Sequence, residues 1–350
     1  MTDAPAKIRV LVVDDSAFAR QVVRRVLERA GDIEIVDIAR DGAEALEKVT
    51  LLRPDVVTLD LVMPGVDGLG VLEALPAEGG PRVVVVSSAG SNTELGVAAL
   101  AAGAIDLVEK PTTQATDRMY EMADELIDRV RVAARARPLP RTVAPPLPRP
   151  RPIAPDALPF DLVVIGTSTG GPQALSRLLP RFPADFPVPI AIVVHMPSGY
   201  TEALARRIDN MSAIKVLEGH DGLVLTRGMA VLAPFGAHLG VARWDGGLRL
   251  VLDFLHVPGE LHRPSVDALF TSAAEVLGAR TLGVVMTGMG EDGLNGARAL
   301  TSAGACVLAE SSSSCVVYGM PRAIIEAGLA NETPSLERMA DAIMRHVAGE

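Results

Sequence analysis

Cysteine is nearly absent from this 350-residue chain: Cys306 and Cys315 are the only two. So sparse a supply argues against a disulfide framework and fits a reducing, cytoplasmic setting. Aromatic residues make up 3% of the chain and the formal net charge is −10, which argues against bulk nucleic-acid binding. Apolar runs are only strand-length, as at Val83–Val86 and Ile190–Val194, so no membrane insertion is expected. The opening MTDAPAKIRV has no long apolar region of the signal-peptide kind. Cys/His spacing of the zinc-binding type is missing as well.

What is present is abundant apolar material, 49% of the chain, enough for sizeable cores at a length that indicates two domains. Residues 1–130 alternate strand-like apolar runs with amphipathic segments, and residues 160–350 do so again. Between them, residues 131–159 break the pattern. From about Arg135 this stretch is dense in proline, with Arg137, Arg141, Arg149 and Arg151 interspersed. Such a composition favours extended polyproline conformation and builds no core, so it reads as a semi-rigid spacer in preference to a docking ligand for a partner. Strand–helix alternation on either side implies two doubly wound α/β domains with mostly parallel sheets.

In the first domain, polar residues gather at predicted strand ends. Asp14 and Asp15 follow Lys7–Val13, Asp60 follows Val56–Leu59, Ser87 follows Val83–Val86, and Lys110 follows a short strand. The carboxyl edge of an open α/β sheet is where ligands bind. Three carboxylates converging there repel one another unless a cation joins them, and hard oxygen donors in an incomplete shell suit Mg2+. Asp60 can then attack a phosphoryl group, with Lys110 pairing the phosphate and Ser87 donating a hydrogen bond. One acidic strand end alone would be no more than a helix cap; five positions with matching roles are more than that.

These residues, with Leu59-Asp60-Leu61-Val62-Met63-Pro64 and Lys110-Pro111, resemble the response-regulator receiver family over essentially the whole domain. The resemblance implies a flavodoxin-like fold and phosphorylation of Asp60 by a histidine kinase. It also implies Mg2+ held by Asp14, Asp15 and Asp60, with the Val62 carbonyl assisting. Many receivers carry an aromatic switch residue three positions before the lysine; here that position is Leu107, so an aromatic rotamer switch is not expected.

The second domain opens on Asp161–Pro172, DLVVIGTSTGGP. Leu162–Ile165 reads as a buried strand, Gly166 ends it, and Gly170-Gly171-Pro172 opens a helix. A sharp strand-to-helix turn holds Ser168 up at the sheet edge beside backbone N–H groups, which supplies a hydroxyl nucleophile and oxyanion donors. The spacing fits neither the dinucleotide loop nor the hydrolase elbow G-x-S-x-G. Two further apolar strands end in His195 and in Thr287-Gly288-Met289-Gly290-Glu291-Asp292. In a parallel sheet all three loops share one edge, so Ser168, His195 and a carboxylate can form an acyl-transfer triad. The residues alone leave Asp292 and its neighbour Glu291 both open; Asp292 is preferred for its shorter, more easily locked side chain and for the family resemblance its motif carries.

Several separate motifs resemble the CheB family of chemotaxis protein-glutamate methylesterases. They are Ile165-Gly166-x-Ser168-Thr169-Gly170-Gly171-Pro172, Val194-His195-Met196-Pro197, His262-Arg263-Pro264-Ser265-Val266-Asp267, Thr287-Gly288-Met289-Gly290-x-Asp292-Gly293 and Ser314–Pro321. The resemblance implies Ser168 as nucleophile, His195 as base and Asp292 as its orienter. Thr169, Gly170, Met289 and His262 would line the substrate and oxyanion site. Two places depart from the pattern: Pro234-Phe235-Gly236-Ala237-His238, and Glu310, which is followed by serines. The implied function is phosphorylation-controlled removal of methyl groups from glutamyl methyl esters on chemoreceptor helices, with glutamine deamidation as a close chemical relative. A monomer is expected, and no cofactor is expected for the ester chemistry itself. The unphosphorylated receiver is expected to hold the esterase back. The alternatives are a non-catalytic docking module and a transcriptional regulator; the α/β alternation, with no helix-turn-helix signal, disfavours the second. His220, His256 and His346 show no partner logic in the sequence.

Overall fold

A computed structural model describes residues 6–76, 79–87, 93–110, 116–139, 158–253 and 262–350, with backbone alone for 116–122. Ser88, Pro111, Phe254, His256 and the proline/arginine stretch 140–157 lie outside the described residues. The chain divides into two compact units, Met1–Arg141 and Thr142–Glu350.

The first unit runs β1 (Ile8–Val13), α1 (Ala17–Glu28), β2 (Ile33–Ala39), α2 (Gly42–Leu52), β3 (Val56–Leu59), α3 (Gly68–Ala74), β4 (Arg82–Ser87), α4 (Thr93–Ala101), β5 (Asp106–Glu109) and α5 (Thr116–Arg135). Its five strands are parallel in the order β2-β1-β3-β4-β5. This is the flavodoxin-like arrangement, with its order reversal between β1 and β3. The inner strands are almost wholly buried and mostly apolar, with Thr58 the one polar residue inside β3, because both faces are covered. Ser16, Asp41 and Asp67 cap α1, α2 and α3 with their side-chain oxygens. Helix α5 follows the helix expected over about Asp117–Ala134 to within a residue at each end, and so runs into the stretch 131–159 read as linker. Leu126, Val130 and Ala133 keep one face buried at helical spacing, and Ala136 beyond the helix is buried too.

The second unit continues with β6 (Leu162–Thr167), α6 (Gly171–Leu178), β7 (Ile190–Val194), α7 (Tyr200–Asp209), β8 (Lys215–Glu218), β9 (Val224–Leu225), β10 (Met229–Leu232), β11 (His238–Trp244) and β12 (Gly247–Asp253). It closes with α8 (Val266–Leu277), β13 (Thr281–Val285), α9 (Leu294–Ser302), β14 (Cys306–Ala309), α10 (Met320–Glu326) and α11 (Leu336–Ala348). Six parallel strands lie in the order β14-β13-β6-β7-β10-β8. From β6 the chain builds first toward β7 and later toward β13, so the strand order reverses at β6. That crevice is where an α/β sheet of this type binds its ligand.

A second, antiparallel sheet, β11-β12-β9, packs against the helical layer. Strands β11 and β12 form a hairpin that pairs His238 with Asp253 at its open end and Trp244 with Gly247 at its turn. Leu239 and Val241 on β11 bury in one cluster with Leu269, Phe270 and Ala273 of α8. Its two-residue turn, Asp245-Gly246, has positive φ at both positions, as the twist of a tight hairpin requires.

Candidate active site

Parallel pairing fixes the first two members of the site. Thr167 lies opposite Val194 across β6 and β7, and the His195 N–H continues the ladder to the Thr167 carbonyl at 3.2 Å. Ser168 and His195 are each the next residue, on strands about 4.8 Å apart. Ser168 is buried to 3% exposure at the mouth of the turn. Its N–H donates to the Thr287 carbonyl at 3.0 Å, and its own carbonyl accepts the Gly171 N–H at 2.7 Å. The turn closes through Gly170, whose φ of +80° is available to glycine without strain. It opens α6, with Pro172 in the first turn.

Asp292 arrives from the loop after β13. Its Oδ2 lies 2.9 Å from His195 Nε2, and both side chains are almost wholly buried. Three further donors hold it: the Ser265 hydroxyl at 2.9 Å, the Val266 N–H at 2.8 Å and the Asp267 N–H at 3.0 Å. The last two are unsatisfied N–H groups at the start of α8, so the carboxylate sits on a helix N-terminus. Burial alone would raise its pKa. The His195 hydrogen bond and charge, with the two backbone N–H groups, outweigh burial and bring it down to about 2. The neighbouring Glu291 side chain is exposed, so Asp292 is the carboxylate that meets the imidazole.

With Nε2 on Asp292, His195 Nδ1 is left buried with no hydrogen-bond partner. An imidazole that donates from one nitrogen presents a lone pair on the other. His262 stacks on the ring, centroids 4.3 Å apart and planes inclined by 18°. Thr169 is buried, and its carbonyl accepts from the Thr287 hydroxyl at 3.0 Å. Met289 is half-buried in the loop between Gly288 and Asp292. At Gly288 the backbone passes so close that a Cβ would stand 2.9 Å from Ser168 Cβ and 2.3 Å from Met320 Sδ.

The sequence signalled Ser265 only as part of a motif. Its placement as the α8 cap that also donates to Asp292 needed the fold, although Ser followed by an apolar helix was a visible capping signal. His346 does have partners: Nε2 meets Glu332 at 3.0 Å and Nδ1 meets Cys306 Sγ at 3.8 Å. Both contacts lie far from it in sequence.

In the first unit, ligand atoms of Asp14, Asp15 and Asp60 all lie within 4.8 Å of one another. Lys110 Nζ is 2.8 Å from both Asp14 and Asp60. Burial raises the Asp14 pKa despite Lys110. The same pair of carboxylates holds the Lys110 ammonium above its ordinary range, against burial. A cluster of carboxylate oxygens beside one fixed cation is the donor chemistry of a hard divalent ion, so these residues fit Mg2+. Ser87 is buried at the end of β4, its carbonyl accepting the Lys110 N–H at 2.7 Å. Leu107 is buried in β5.

Residues 163–343 match the family model described as CheB methylesterase, and residues 10–123 match the response regulator receiver domain. The chain belongs to the CheB methylesterase family. It is 56% identical to the protein-glutamate methylesterase/protein-glutamine glutaminase 5 of Myxococcus xanthus, over 97% of this chain and 98% of that one. It is 38% identical to the Bacillus subtilis protein-glutamate methylesterase/protein-glutamine glutaminase, over 98% and 99%. The crystal structure of the Thermotoga maritima CheB methylesterase catalytic domain superposes with a TM-score of 0.51 at 38% identity, covering 53% of this chain and 98% of that domain. A CheB-family catalytic domain preceded by a receiver is thus the architecture of this chain. No helix among the described residues is long and apolar enough to cross a membrane.

Proposed function

We propose that this chain hydrolyses glutamyl methyl esters on chemoreceptor signalling helices and releases methanol, under the control of phosphorylation at Asp60. In this reading residues 1–130 are the receiver, 131–159 the linker and 160–350 the catalytic domain. The observation that carries the reading is the buried, unpartnered Nδ1 of His195, its opposite nitrogen on Asp292, at the end of a strand paired in register with the one that ends just before Ser168.

Ser168 Oγ attacks the ester carbonyl carbon while its proton passes to His195 Nδ1. Asp292 keeps the Nε2 proton in place and stabilises the imidazolium as it forms. Backbone N–H groups at Thr169 and Gly170, with the Met289 segment, receive the negative oxygen of the tetrahedral intermediate. Its collapse expels the methoxy group, which takes the proton back from His195 and leaves as methanol. Water, deprotonated by the same nitrogen, then cleaves the acyl-enzyme to glutamate and free Ser168. A glutamine side chain passing through the same acyl-enzyme releases ammonia in place of methanol. The relatives' names carry both activities.

In the receiver, Asp14, Asp15 and Asp60 would hold Mg2+, which offsets charge on the transferring phosphoryl group. Asp60 accepts that group from a histidine kinase, Lys110 pairs with it and Ser87 donates to it. The setting is cytoplasmic, the working form is a monomer, and neither nucleic acid nor membrane insertion is involved. Methanol release from methylated chemoreceptor, with and without a small phosphodonor, tests the reading. Ser168→Ala should abolish release while leaving receptor binding intact. Release undiminished in that variant would overturn the proposal.

A further inference from the structure

One carboxyl in the catalytic domain has no place in the chemistry above and is completely buried. Glu310 is the first residue after β14, at 0% exposure. Backbone pairing between β13 and β14 stops at Val285 and Ala309. The Glu310 N–H makes one more bond, to the Val285 carbonyl at 2.8 Å. The Glu310 side chain then supplies the next acceptor: its Oε2 takes the Thr287 N–H at 2.9 Å. Thr287 in turn grips the nucleophile turn on both sides of Ser168. Its carbonyl accepts the Ser168 N–H at 3.0 Å and the Thr167 hydroxyl at 2.7 Å, and its hydroxyl donates to the Thr169 carbonyl at 3.0 Å.

We propose that Glu310 is a positioning residue for the Ser168 turn, and that its protonation state sets how well the turn supports a developing oxyanion. The inference rests on the esterase reading and deepens it.

Both protonation states can be satisfied, by different hydrogen-bond orders. Glu310 Oε1 lies 2.9 Å from Ser314 Oγ. Ser314 Oγ accepts the Leu336 N–H at 2.8 Å and stands 3.4 Å from the Ser311 carbonyl. In the ionised state Ser314 donates to Oε1, and Thr287 donates to a charged acceptor. In the neutral state Oε1–H donates to Ser314, which turns its own proton to Ser311, while Oε2 still accepts from Thr287. The neutral order leaves no buried charge. The ionised order places a negative charge one residue from the turn that must hold a second one, in surroundings that screen it poorly. The titratable groups that face Glu310 are Glu337 on α11 and the Cys315 thiol, which donates to the Glu310 carbonyl at 3.7 Å. Burial, with the Glu337 charge adding to it, outweighs the bonds from Thr287, Ser314 and Cys315 and lifts the Glu310 pKa to about 7. The two states therefore exchange near neutral pH.

Glu310→Gln separates the roles. The amide oxygen can accept from Thr287 and the amide nitrogen can donate to Ser314, which reproduces the neutral pattern without a proton to lose. Full-length protein is assayed by methanol release from methylated receptor across the pH range, alongside thermal melting at each pH. Wild type should lose turnover as the pH rises through about 7. Glu310→Gln should match wild type on the acid side and exceed it by about tenfold on the alkaline side, a difference in kcat rather than KM. Because the folded pKa is raised, wild type should lose stability from about pH 4.5 to about pH 7 relative to the variant. An alkaline limb that is the same in both proteins, with wild-type turnover intact, overturns the proposal. So does Glu310→Ala turning over like wild type at every pH. If Glu310→Ala does not fold, the glutamine variant decides alone. Wild type that releases no methanol sinks the esterase reading and this inference together.

Discussion

Asp292 accepts four hydrogen bonds, from His195, Ser265, Val266 and Asp267. Such a carboxylate cannot swing away from the imidazole it serves. Ser265 has two tasks, since its hydroxyl also caps α8 by accepting the Ala268 N–H at 3.4 Å. Ser265→Ala should cost about 1 kcal/mol of stability from the lost cap. It should also lower kcat by about tenfold with KM little changed, as removal of an outer-shell partner does elsewhere; steady-state methanol release and urea unfolding check the two halves. Asp292 itself carries an acid signature. Its folded pKa of about 2 lies below the ordinary 3.8, so its contribution is whole above the higher value and disappears as the pH falls through the lower one. That contribution is roughly 2 kcal/mol. Wild type should therefore weaken more steeply than Asp292→Asn between those two pH values, which denaturant titrations at stepped pH measure.

At the scale of elements, the site is a property of three strand ends and one helix start. Strands β6, β7 and β13 are neighbours in register, so the residues that follow them meet without any long-range adjustment of loops. This much was legible in the sequence, because apolar runs followed by polar residues mark strand ends, and parallel strands put those ends on one edge. The sequence could not show that α8 points its first N–H groups at Asp292. Nor could it show that Glu310 extends a sheet ladder, because both depend on packing between segments far apart in the chain. The preference for Asp292 over Glu291 rested on side-chain length and on the family resemblance; in the fold Glu291 is exposed and Asp292 meets the imidazole. The turn Asp245-Gly246 marks the β11–β12 hairpin in the sequence, but β11 begins as early as His238, where Leu239 and Val241 are buried against α8. The closeness of the β13 turn to the β6 turn gives an element-scale test. Gly288→Ala would drive a Cβ against Ser168 and Met320. The turns must then part, at a cost of about 1–3 kcal/mol, and kcat should fall by at least about tenfold. Gly290→Ala, where a Cβ meets nothing nearby but φ is +77°, serves as a strained control on the same loop. Melting temperature and turnover measured together separate the two effects: the control should lose stability with far less loss of kcat.

The whole molecule joins two sites of different chemistry through a stretch rich in proline and arginine. A carboxylate cluster whose donors fit Mg2+, in a receiver-family domain, has no evident part in ester hydrolysis; under the proposed function the two units are coupled. Coupling of this kind is a difference in the stability of two states, which a phosphoryl group at Asp60 would bias through its charge. If the unphosphorylated receiver holds the esterase back, Asp60→Asn should leave basal methanol release near the wild-type level and abolish its stimulation by a phosphodonor. Removing Mg2+ with a chelator should abolish the stimulation in wild type and change nothing in the variant. The fragment 160–350 should then run faster than the unphosphorylated full chain and ignore the phosphodonor altogether. A fragment no faster than the intact unphosphorylated protein would mean that phosphorylation adds something to the catalytic domain rather than lifting a restraint from it.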